Sequence, residues 1–167
     1  MPKIILKVEK NDAIIINEKI ACYIVTDELS DAKVKEIVAS GKMVLVQGER
    51  ALDVCKKFNL DGVVKEPDMT KPMKAQLKPL REILKHKTMG VVIPARRHEA
   101  MLAGETEPDF IVFEPCEGEY NAEVINWYNE LFLIPCAVVL PETENLPKSF
   151  DVDFVILNAK NFENFGC

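Results

Sequence analysis

MGVVIPARRHEAMLAGETEPDFIVF, residues 89–113, decides the reading of the fold. Met89-Gly90-Val91-Val92-Ile93 is a continuous, β-branched apolar run, the pattern of a strand buried on both faces. Arg97–Ala103 follows with helical character and stops at Gly104. A second continuous run, Phe110-Ile111-Val112-Phe113, comes immediately after. Strand, short helix, strand within 25 residues is a parallel crossover unit, and such crossovers are right-handed.

The same unit recurs on both sides. Apolar runs stand at Cys22–Val25, Met43–Val46, Gly62–Val64, Ala137–Leu140 and Phe154–Leu157. Helical spacing fills the gaps at Ala32–Ala39, Arg50–Phe58, Pro72–His86 and Asn121–Phe132. Successive runs lie 18 to 28 residues apart, near the minimum for a strand–helix unit. The expected fold is α/β, a reduced TIM-like (β/α) barrel of about seven parallel strands; an open doubly wound sheet has the same alternation. Two segments break the pattern. Residues 1–20, with Ile4-Ile5-Leu6, a turn at Asn11-Asp12 and Ala13–Ile16, read as an N-terminal β-hairpin. Pro141–Asp151 has two prolines and no helical period, so that crossover reads as a loop. The chain is one domain, 1–167, with the hairpin at 1–20 and βα repeats over 21–160.

At 167 residues the chain is short for a complete eight-fold barrel, which usually takes about 250 residues. Apolar residues at 48% and charged residues at 29% describe an ordinary soluble globular protein and exclude a disordered one. No apolar run approaches the roughly 20 residues of a membrane helix, and Met1-Pro2-Lys3 opens no signal peptide. A net charge of −6 disfavours nucleic acid and anionic lipid as partners. Five cysteines without a CxxC fit neither disulfides nor zinc, and Cys22, Cys55 and Cys136 read as core fillers. The expected location is cytoplasmic. There is no GxGxxG and no GxxxxGK[ST], so dinucleotide and P-loop readings lack their usual support.

Several phrases, in order, resemble the thiamine-phosphate synthases and their TenI relatives. Cys22-Tyr23-Ile24-Val25-Thr26-Asp27 is similar to the family's opening strand, an apolar run ending in Thr-Asp. Leu60-Asp61-Gly62-Val63-Val64 resembles its Ala-Asp-Gly-Val-His, and Met89-Gly90-Val91 with Glu99-Ala100 resembles its Ile-Gly-Val-Ser strand and Glu-Ala helix. Pro108–Pro115 resembles its Ala-Asp-Tyr-Val-Gly-Phe-Gly-Pro, and Ile134-Pro135-Cys136 its Ile-Pro-Val. The resemblance implies a (β/α) barrel that binds a small phosphorylated or heterocyclic ligand at the strand C-termini, with Mg²⁺ as a possible cofactor. The family's chemistry does not transfer with it. Val92-Ile93-Pro94 stands where the family has Ser-Thr-His, and Leu140-Pro141-Glu142 replaces its Gly-Gly phosphate turn. Val64-Lys65-Glu66-Pro67 replaces the His segment, leaving Asp68 as the one counterpart of the metal-binding Asp. The family's second and third units look merged near Gln47, and Val46-Gln47-Gly48-Glu49-Arg50 resembles either of two family segments. Diphosphate displacement is therefore not expected, and no catalytic residue is assigned.

In βα folds ligands sit at the strand C-termini. Arg96-Arg97-His98 follows a strand and opens a helix, the best anion candidate by position and charge. Gln47, Arg50 and Glu114 are the other candidate ligand contacts, and Asp68 with Glu66 is a weak candidate for a metal. Glu114–Tyr120 is an acidic loop around Cys116, whose thiol should be held protonated by its neighbours. His86 at a helix end suits the helix dipole. The alternative to a ligand-binding barrel is a non-catalytic interaction protein on the same scaffold. The hairpin, and Trp127 and Tyr128 on one helix, lead to the expectation of a homodimer.

Overall fold

The computed structural model describes residues 3–114, 122–140 and 152–164. Eight strands run β1 (Lys3–Val8), β2 (Ile20–Thr26), β3 (Met43–Gln47), β4 (Gly62–Lys65), β5 (Thr88–Pro94), β6 (Phe110–Glu114), β7 (Cys136–Val139) and β8 (Phe154–Leu157). They pair in parallel in sequence order, and β8 closes on β1 through Ile5 and Ile156, so the sheet is a closed barrel. The helices are α1 (Asp31–Val38), α2 (Ala51–Phe58), α3 (Met73–Leu84), α4 (Arg97–Gly104), α5 (Ala122–Leu131) and α6 (Ala159–Asn164).

Continuous apolar runs are explained by this closure, because every strand is covered twice. Ile5, Ile24, Leu45, Val64, Val92, Val112 and Ile156 point inward and fill the barrel. Their sequence neighbours point outward to the helices: Leu6, Tyr23, Val25, Val44 and Val91 pack with Val34 and Ile37 of α1, Leu77 of α3, Ala100 of α4 and Ile125 of α5. Local signals fix the helix ends. The Ser30 side chain caps the Lys33 N–H of α1, and Asn59 ends α2 in the left-handed region at φ 50°. At Gly62 a Cβ would lie 1.9 Å from the Thr88 carbonyl oxygen, so β4 and β5 approach this closely only because residue 62 has no side chain.

The N-terminal end of the barrel repeats one device three times. Asp61, Asp109 and Asp153 each stand one residue before an even-numbered strand. Each carboxylate accepts an N–H from the first or second residue of the preceding strand: Val44 at 2.8 Å, Met89 at 2.7 Å and Cys136 at 3.0 Å. Each aspartate's own N–H returns a bond to the same residue's carbonyl. The clamp locks neighbouring strands in register and satisfies strand ends that lack a ladder partner. Asp109 is further paired with Arg81 at 2.8 Å.

Three sequence expectations are corrected. The described residues form eight strands rather than about seven. Lys3–Val8 is not half of a hairpin: it is barrel strand β1, parallel to both β2 and β8. Ala13–Ile16 is no strand. It crosses from β1 to β2 where a helix would normally lie, with Ile14 and Ile15 on the core and the Ile15 carbonyl accepting the Tyr23 hydroxyl at 2.6 Å. Apolar residues there look like a strand because the loop performs a helix's covering role. β3 and α2 form one complete strand–helix unit around Gln47. Short helices and this helix-free crossover are how 167 residues close eight strands. The Pro141–Asp151 crossover lies outside the described residues.

Candidate ligand site at the C-terminal mouth of the barrel

Alternation along a strand places every second side chain inside the barrel, and the last inward residue of each strand forms the rim of its C-terminal mouth. Lys7 of β1, Thr26 of β2, Gln47 of β3 and Glu114 of β6 occupy that level. Lys7, Gln47 and Glu114 surround a cavity of about 50 Å³ whose floor is Ile24, Val64, Val92, Val112, Val139 and Ile156. Lys7 and Gln47 also line a cleft of about 470 Å³, which extends over Thr26 to Lys10, Asp27, Glu28 and Gly48. The two spaces share a wall and make one site: an apolar floor, a polar rim and a lateral cleft.

None of the four rim side chains has a hydrogen-bond or ion-pair partner among the described residues, and the Thr26 hydroxyl oxygen is buried without one. Lys7, Thr26, Gln47 and Glu114 are all half-buried. Burial pushes the Glu114 carboxyl above its ordinary value; nearby Glu66 adds to the rise and Lys7 opposes it. Half-buried polar groups without a partner cost stability, and four of them stand together at this rim.

The cleft wall is held by Asp27. Its carboxylate accepts the Arg50 N–H at 2.9 Å, and the Arg50 guanidinium donates to the Asp27 carbonyl at 3.1 Å. Gly48 sits at φ +139°, and a Cβ there would lie 2.3 Å from the Asp27 Cγ. Arg50 thus supports the wall rather than reaching the mouth.

The remaining sequence candidates are placed elsewhere. Arg97 donates to Glu123 at 3.2 Å and lies 5.1 Å over the Trp127 ring, which commits it to the α4–α5 contact. Arg96 is paired with Glu99 at 3.8 Å. His98 is exposed on α4, and His86 is exposed near the end of α3. Asp68 caps a loop: the Thr70 hydroxyl at 2.6 Å and the Thr70 N–H at 2.9 Å both donate to it and hold its carboxyl below the usual range. Glu66 acts on Glu114. Among the described residues no three His, Cys, Asp or Glu side chains are grouped to hold a metal ion. The Cys116 loop and the Pro141-Glu142 turn lie outside the described residues. Cys22, Cys55 and Cys136 are buried thiols, and burial pushes the Cys22 thiol up to about 12.

Gln47 and Glu114, both expected, do meet at the mouth. Lys7 and Thr26 were missed. The run Ile4-Ile5-Leu6 has the same continuous apolar character as the other strands, and a lysine one residue beyond it was the available signal. No described helix is long and apolar enough to cross a membrane. No protein-family model and no curated protein matches the chain.

Proposed function

We propose that this chain is a ligand-binding (β/α) barrel that takes a small molecule at the C-terminal mouth, without diphosphate-displacing chemistry. The observation that carries the reading is the set of four half-buried rim side chains, Lys7, Thr26, Gln47 and Glu114, which have no partner among the described residues and stand over an apolar floor. The resemblance to thiamine-phosphate synthases supports a phosphorylated or heterocyclic ligand. The charges favour the heterocycle. Among the described residues, Lys7 and Lys10 are the bases that line the cleft against Glu9, Asp12, Asp27 and Glu28, and Arg96 and Arg97 are engaged in ion pairs. A phosphorylated ligand therefore needs Mg²⁺ as a bridge to the carboxylates.

Thermal denaturation tests this with a hydroxyethylthiazole, its phosphate, an aminopyrimidine and pyrophosphate, each with and without Mg²⁺. At about 100 times Kd a ligand adds about 2.7 kcal/mol, a rise of several degrees in Tm. The expected result is such a rise for a heterocycle, lost in Lys7→Met and kept in Arg97→Ala. No rise with any compound leaves the second reading, an interaction protein without a small-molecule site. That reading is favoured by the apolar side chains left in water beside α5, Leu131 at 54% and Leu133 at 102% exposure. A homodimer through this end of α5 is the assembly we infer, and light scattering at high concentration measures it.

A further inference from the structure

Lys7 and Glu114 stand on β1 and β6, well separated around the barrel, and both face the same small cavity. Neither is neutralised by the other at ion-pair distance or by any other described side chain. One edge of the mouth thus offers an ammonium and another a carboxylate. A ligand with a single negative group satisfies Lys7 and leaves Glu114 facing it; a ligand with a single positive group does the reverse. Only a molecule carrying both charges satisfies both.

We propose that the mouth binds the head of a zwitterionic, amino-acid-like ligand, its carboxylate on Lys7 and its ammonium on Glu114, the body lying in the lateral cleft. This inference rests on the mouth being the ligand site. Thr26 and Gln47 supply neutral donors on the Lys7 side of the rim. The surplus of carboxylates, Glu66 near Glu114 and Asp27 and Glu28 in the cleft, suits an ammonium and opposes a bare anion. A zwitterion brings no net charge into an acidic site, so it avoids the repulsion that disfavours phosphate here. Burial and Glu66 raise the Glu114 carboxyl, and an arriving ammonium reverses that rise, so binding is accompanied by proton release where Glu114 is partly protonated.

The test is calorimetric titration of the whole chain with glycine, β-alanine and γ-aminobutyrate, a series that spans the unknown charge separation, against acetate and methylammonium. The expected result is that one of the three amino acids binds at least about tenfold more tightly than either single-charge compound. Lys7→Met and Glu114→Gln should each weaken it by about tenfold or more, and Arg97→Ala should leave it unchanged. No binding of any amino acid at about 10 mM, equal affinity for acetate or methylammonium, or full affinity in both variants overturns the proposal. A heterocycle that raises Tm while the zwitterions fail removes this inference and leaves the mouth as the site. Failure of both series removes the site itself.

Discussion

Replacing Asp109 by alanine tests the clamp that locks β5 and β6 in register. The Asp109 carboxylate accepts the Met89 N–H at 2.7 Å and pairs with Arg81 at 2.8 Å. A hydrogen bond to a charged group is worth about 1.5–3 kcal/mol, and an ion pair with one half-exposed partner adds at most about 1 kcal/mol. Arg81 keeps its bonds to the Lys85 and Lys87 carbonyls, so it is not stranded by the change. The expected loss is about 2–3 kcal/mol, or about 4–12 °C in Tm for a chain of this size. Asp109→Asn retains an acceptor oxygen and loses only the charge, so it should cost about half as much. Asp61→Ala, without an ion pair, should cost about 1.5–3 kcal/mol, and the double variant should be additive because the sites share no partner. Circular dichroism melts and urea unfolding measure all four. A Tm within 2 °C of wild type for Asp109→Ala would refute the clamp as a stabilising device, about 1 kcal/mol at most being left for it.

Other perturbations follow from the same geometry. Gly62→Ala drives a Cβ onto the Thr88 carbonyl, where only backbone can yield, and should cost at least about 3 kcal/mol or prevent folding, read by yield and Tm. Tyr128→Phe removes a buried hydroxyl that has no partner among the described residues but keeps the ring against Phe113 and Phe132; it should stabilise by about 1 kcal/mol, read by urea unfolding. Glu114→Gln should raise Tm at neutral pH. The folded carboxyl holds its proton above the ordinary 4.5, so the folded state binds more protons than the unfolded one, and wild-type stability falls as pH rises through that window. The gain should vanish below about pH 4, where both states are protonated; a gain independent of pH would contradict it.

The parts of the fold that were legible are those where one sequence pattern has one physical cause. Continuous apolar runs such as Met89–Ile93 mean burial on both faces, and Ser30 and Asn59 mark helix ends through local chemistry alone. Ala13–Ile16 misled because apolar residues mark burial, not conformation: the segment is partly buried as a covering loop. That error turned β1 into a hairpin arm and hid Lys7 with it. At the site, Gln47 and Glu114 were visible as polar residues ending apolar runs. Arg96 and Arg97 misled for the opposite reason. Their position at a helix start is right for an anion, but Glu99 lies three residues from Arg96 and pairs with it, and Glu123 and Trp127, which engage Arg97, are identified only by how α4 packs on α5.

The account turns on where a small molecule binds. Backbone amide shifts of the ¹⁵N-labelled chain, followed during titration with the amino acids and the heterocycles, locate it directly. The account predicts that the shifts gather at Lys7, Thr26, Gln47, Gly48 and Glu114 and leave Arg96–His98 unmoved. Shifts centred on Arg96–His98, or on α5 away from the mouth, would contradict it.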